Sequence, residues 1–242
     1  MDVDHLSRLG PELEQFVDAL RRGPLDAPVA ACPGWDVARL GAHIAFVHRW
    51  ATASLLTATS PAVEAIPEAP TGGDELVTWV RDGGAALIDA LSTVPMDAPT
   101  WHPFPAPRTA SVWRRRQLHE LVVHRWDAQA ATGAGGPIDP AVASDGIDEY
   151  LSVMLPRRII RDGGELPQSS LHVHCTDTPG EWLVWSEGDQ PQLRREHAKG
   201  DAALRGTAQD LLLSLWGRRH GSPAIDVVGD PIVADAWLAL GG

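Results

Sequence analysis

The chain is poor in cysteine, poor in basic residues and without any long apolar run, and each shortage removes a class of function. Only Cys32 and Cys175 are present among 242 residues, one in each half and outside any C-x-x-C pattern. This excludes a disulfide framework and a cysteine-rich metal site. Lys and Arg number 20 against 32 Asp and Glu, a formal net charge of -12. Nucleic-acid binding needs a concentrated basic face that releases counterions, so no nucleic-acid partner is expected. The one basic run, Arg114 to Arg116, is short and opens a helix, where it reads as a solvated first turn or as ion-pair partners for the acidic surplus. No stretch of eighteen apolar residues is long enough for a membrane span, and the start M-D-V-D-H-L-S-R-L-G has no apolar core of signal-peptide type. A soluble, cytoplasmic protein without a membrane partner is expected, and 44% hydrophobic with 21% charged residues suits a globular one.

What is present begins with R-R-R-Q-L-H-E-L-V-V-H-R-W-D-A-Q-A, residues 114–130. If this is a helix, Glu120 and His124 are i and i+4 and emerge on one face, where they can close on one cation. The same spacing also suits an ordinary contact on a helix surface. Asp127, one turn further, is placed to steady His124 or Arg125. The partner nominated is His43, in the apolar segment G-W-D-V-A-R-L-G-A-H-I-A-F-V-H-R-W. Two histidines and a glutamate leave the fourth position of a tetrahedral zinc ion open, as in catalytic rather than structural sites. His48 and His119 each lie five residues from a nominated ligand, about 500 degrees of helical turn and so off its face. His119 with His124 is the first substitute pair should Glu120 not serve. Cys32 reads as a small buried hydrophobe that also has the option of approaching the metal. His172 and His174 alternate along a strand-like run and form a rival metal pair, for which no third ligand at suitable spacing is evident.

The periodicity predicts four helices in the first half. Leu6, Leu9, Leu13, Phe16, Val17 and Leu20 form one apolar stripe, closed by Gly23-Pro24. Asp36 caps a second helix running to about Thr57. Asp74 caps a third, interrupted by Gly83-Gly84. The fourth spans about 111–132 and stops at G-A-G-G-P. Trp35, Trp50, Trp101, Trp113 and Trp126 are expected to pack this bundle, with Trp101 the one to line a pocket. Beyond residue 136 the pattern changes. A helix from Asp139-Pro140 through Leu155 is followed by P-R-R-I-I-R-D-G-G-E-L-P-Q as a loop, then by strands at Leu171–Cys175, Trp182–Trp185, Ala202–Leu204 and Ile225–Val228. Two more helices, from T-A-Q-D and from Asp230-Pro231, complete an α+β half.

P-G-W-D-V-A-R-L-G-A-H-I-A and H-E-L-V-V-H-R-W-D together resemble the mycothiol-dependent maleylpyruvate isomerase family, and L-R-G-T-A-Q-D-L-L-L-S-L-W-G-R-R resembles a helix of its C-terminal domain. The resemblance implies an α+β protein with a DinB-like four-helix bundle over residues 1–136 and a small α+β sterol-carrier-like domain over 137–242. It implies His43, Glu120 and His124 as ligands of a divalent metal, taken as Zn2+, with mycothiol as thiol cosubstrate. Arg218 is implied as the residue that pairs with a substrate carboxylate, a use that bidentate guanidinium geometry suits. Arg218 and Arg219 also need no reason beyond the negative end of a helix dipole to stand where they do. The function expected is a metal-dependent thiol S-transferase or isomerase acting on a small electrophile, in a monomer or homodimer. In the isomerase the thiolate adds to a cis double bond, the new single bond rotates, and the thiolate leaves. The alternatives are a metal-stabilised ligand-binding or regulatory protein, and a hydrolase that uses metal-bound water.

Overall fold

The computed structural model describes residues 3–163, 165–218 and 223–241. Two compact units divide the described residues, one over 4–137 and the other over 138–241.

The first unit is a four-helix bundle: α1 (His5–Arg22), α2 (Val37–Thr57), α3 (Gly73–Thr93) and α4 (Ala110–Thr132). Helix α1 packs on α3 and α4, and α2 packs on the same two. The stripe read from the sequence is the buried one, with Leu9, Leu13, Phe16, Val17 and Leu20 all inside. Asp4 and Asp36 start their helices by accepting from Ser7 N and Arg39 N, satisfying donors that a first turn leaves unpaired. The expected cap at Asp74 is not observed. Gly72 holds the cap position, and Asp74 and Glu75 lie within the first turn, where a carboxylate meets the positive end of the helix dipole. Gly83-Gly84 does not break α3, and a Cβ at Gly84 would lie 2.6 Å from both Cδ atoms of Leu13. The missing side chain lets α1 approach.

In the second unit Asp139 caps α5 (Pro140–Glu149). The expected loop after Leu155 is a helix instead: a π turn (Tyr150–Met154) leads directly into α6 (Leu155–Asp162). Pro156 donates no backbone hydrogen bond, and the widened turn before it resets the hydrogen-bond ladder, so the proline sits in a first turn where no donor is needed. Gly163, at φ 67°, ends the helix.

A five-stranded sheet follows: β1 (Leu171–Cys175), β2 (Glu181–Glu187), β3 (Gln190–Arg194), β4 (Ala202–Gly206) and β5 (Asp226–Gly229), in spatial order β3-β2-β1-β4-β5. The β1–β4 pair is parallel and the others are antiparallel. Strand β3 went unread in the sequence because Q-P-Q-L-R has no alternation. It lies at an edge, where Pro191 is tolerated. Leu171, Val173, Leu204, Leu211, Leu212 and Trp182 build the core with α7 (Ala208–Leu215), and α8 (Pro231–Leu238) packs on β1, β4 and β5. Among the described residues no helix is long and apolar enough to cross a membrane.

Candidate metal centre

Glu120 and His124 stand one turn apart on α4, and His43 faces them from α2. The Glu120 Oε1 atom lies 3.0 Å from His43 Nε2 and 3.4 Å from His124 Nε2. The rings of His43 and His124 meet edge-on at 5.2 Å. One donor atom from each of the three residues lies within 4.8 Å of the others. A tetrahedral ion with ligand bonds near 2.0–2.1 Å separates its donors by about 3.3 Å, so the trio requires only small side-chain adjustments to hold one.

The neighbours hold each donor in place. Asp127, whose side chain is fully buried, sits with Oδ2 2.9 Å from His124 Nδ1. This contact makes Nδ1 the hydrogen-bonding nitrogen and turns Nε2 toward Glu120. Arg116, one turn before Glu120, donates from NH2 to Oε2 at 3.0 Å and is 3% exposed. Of the two readings of this basic run, Arg116 takes the ion-pair one and not that of a solvated turn. Arg114 is also drawn inward, donating to the carbonyls of Leu91 and Val94 at the end of α3. Spacing of i and i+4 between Arg116 and Glu120 was the signal available for this pair.

Burial acts to raise the pKa of Glu120, but hydrogen bonds from His124 and His43 and the charge on Arg116 outweigh it and hold the carboxyl well below its usual range. For His124 burial pulls downward, while the Asp127 and Glu120 carboxylates outweigh it and push the imidazole up to about 8. His48, fully buried in α2, is lowered to about 4 by burial. His48 is outside the group of His43, Glu120 and His124, as its spacing implied, and so is His119, whose ring meets that of His5 at 6.1 Å.

Cys32 comes to this end of the bundle, where its sulfur groups with His124 and Asp127, while the group containing Glu120 consists of His43, Glu120 and His124. Trp35 packs on His43 with ring centroids 5.1 Å apart. Trp101 packs edge-on against Trp50 at 5.4 Å, and its carbonyl accepts from Trp113 Nε1. Arg218 lies in the other unit, just past α7, where its NH1 donates to the Trp216 carbonyl at 2.7 Å. Arg219 falls outside the described residues.

The model of the mycothiol maleylpyruvate isomerase N-terminal domain matches residues 6–129, and that of the C-terminal domain of the same family matches 141–236. The chain belongs to the mycothiol maleylpyruvate isomerase family. Two crystal structures of the mycothiol-dependent maleylpyruvate isomerase superpose on it, one of them a histidine-to-alanine mutant. Each is 13% identical and covers 93% of this chain and 91% of its own, with TM-scores of 0.63 for the mutant and 0.58 for the other. At that identity the likeness speaks for the fold alone. No curated protein matches the chain.

Proposed function

We propose that the protein is a mycothiol-dependent enzyme of the isomerase or S-transferase type, with His43, Glu120 and His124 holding a divalent metal, zinc by preference. The observation that carries this reading is the convergence of two imidazole nitrogens on one carboxylate oxygen from separate helices, at 3.0 and 3.4 Å. Two nitrogens and one oxygen suit a borderline cation such as zinc. Bound there, such an ion lowers the pKa of a coordinated thiol and supplies thiolate at neutral pH.

The protein's own residues organise the site around that chemistry. Glu120 is kept ionised, Arg116 fixes its second oxygen, and Asp127 orients His124, so the donors are arranged before any ligand arrives. Trp35 covers one flank of His43 and limits water there. The trio itself supplies three donors, which leaves the fourth position of a tetrahedral ion for an incoming thiol. Arg218 is assigned to a substrate carboxylate, for which its guanidinium is chemically suited. The cosubstrate is a low-molecular-weight thiol and the second substrate a small electrophile.

Metal analysis and thiol consumption test the reading. Glu120→Ala and His124→Ala proteins are expected to lose one zinc equivalent and to stop consuming mycothiol with an electrophile. Retention of both metal and thiol turnover in either variant would rule the proposal out, and ester or amide turnover without thiol would favour a hydrolase.

A further inference from the structure

A second convergence of ligating side chains lies in the other unit, within the sheet. His172 and His174 project from one face of β1, opposite Leu171, Val173 and Cys175, which are at most 5% exposed and line the core. Glu181 stands directly across from His174 in the β1–β2 register, and Leu183 across from His172, so the carboxylate shares the face of both imidazoles. The segment between β3 and β4 then returns to this face and delivers His197.

The geometry is tight. Glu181 Oε2 lies 3.2 Å from His172 Nε2 and 2.5 Å from His197 Nδ1, and Oε1 lies 3.1 Å from His174 Nδ1. The three rings sit 5.2, 5.9 and 6.3 Å apart in steep edge-on arrangements, and one donor atom from each of the four residues lies within 4.8 Å of all the others.

An ion-pair network explains this poorly, because one carboxylate neutralises one imidazolium and three protonated rings at these distances would repel one another. Burial lowers the pKa of His172, more than Glu181 beside it restores. Glu181 itself is drawn down, because hydrogen bonds from His197 and His174 outweigh its own desolvation.

We propose that His172, His174, Glu181 and His197 form a second divalent-cation site, selective for zinc-class ions, that clips the segment between β3 and β4 to the centre of the sheet. Three nitrogens and one oxygen exclude magnesium and calcium, which take oxygen ligands. Four protein donors fill a tetrahedral shell, so this site is of the closed, structural kind, unlike the three-donor group in the helical bundle. The His197 side chain is 78% exposed and gives an ion a path in from solvent. Arg195, two residues before His197, makes a two-pronged ion pair with Asp148 of α5. Arg195, Asp148 and Glu181 also line one cleft of about 400 Å³. Loading the clip would therefore fix the wall of that cleft.

The test uses the full-length protein, stripped by chelation and titrated with Zn2+ against a chromophoric competitor. His197→Ala alters an exposed side chain and leaves the core intact; Glu181→Gln keeps the shape of the carboxylate. Each is expected to lose one zinc equivalent relative to the unaltered chain. Zn2+ should slow amide exchange over residues 195–200 in the unaltered chain and leave it unchanged in His197→Ala. Unchanged zinc equivalents in both variants, or no zinc-dependent protection of 195–200 in the unaltered chain, would overturn the proposal. Glu120→Gln separates the two sites: it should remove the other equivalent and leave the protection of 195–200 in place.

Discussion

In metal-free protein His124 should make folding stability fall as pH rises through the neutral range. Its imidazole is held up to about 8 against an ordinary 6.5, a difference of about 1.5 units, or about 2 kcal/mol at 1.36 kcal/mol per unit. The side chain is 12% exposed, so solvent screening removes little of this. The sign follows from linkage: the folded state binds the proton more tightly than the unfolded chain does. The contribution is fully present below about pH 6.5 and is lost as pH climbs through about 8. His48 does not interfere, because burial lowers its pKa to about 4 and its destabilising effect develops only as pH falls below 6.5. Urea unfolding of chelator-treated protein at pH 7, 8 and 9 measures the effect, with His124→Gln as the control expected to lose this slope. A His124 imidazole titrating at or below 6.5 by NMR, or an identical slope in His124→Gln, would refute the reasoning. Zinc reverses the demand on the proton, since a ligating imidazole must be neutral. Affinity at this group should weaken about tenfold per unit as pH falls below 8, for the one proton displaced.

Two packing predictions use the same denaturation assay. Glu12→Gln leaves the fully buried Arg125 without the carboxylate that accepts from its Nε at 2.6 Å, and an uncompensated buried charge should cost about 3–5 kcal/mol. Gly84→Ala places a methyl 2.6 Å from both Cδ atoms of the buried Leu13. The overpacking of about 1–3 kcal/mol should exceed the about 1 kcal/mol gained in helix propensity, so the variant is less stable despite a better helix former.

The sequence by itself determined the helices of the bundle, because an apolar residue every third or fourth position can be buried only as one helical stripe, and Asp36 marks one start through a side-chain acceptor that needs no distant partner. It also determined that Glu120 and His124 share a face, since that follows from helical pitch alone. Elements whose causes lie elsewhere in the chain are not legible in it. The continuation of the helix past Pro156 depends on a π turn that no periodicity shows, and edge strand β3 has no alternation of its own and exists through its pairing with β2. The sites divide in the same way. In the sequence His43 stands out only because Glu120 and His124 lack a third ligand, and only the packing of α2 on α4 brings its nitrogen to 3.0 Å from Glu120. For Arg116 the sequence leaves a solvated turn and an ion pair both open, because charge composition cannot tell which arginine is buried, and the fold selects the pair with Glu120.

The pair His172 and His174 lacked a third ligand when read along the chain, because Glu181 and His197 are brought to it by strand register and by a returning loop. Local periodicity is written in neighbouring residues, whereas the convergence of donors from distant segments is set by which surfaces bury one another. The tertiary structure alone decides that.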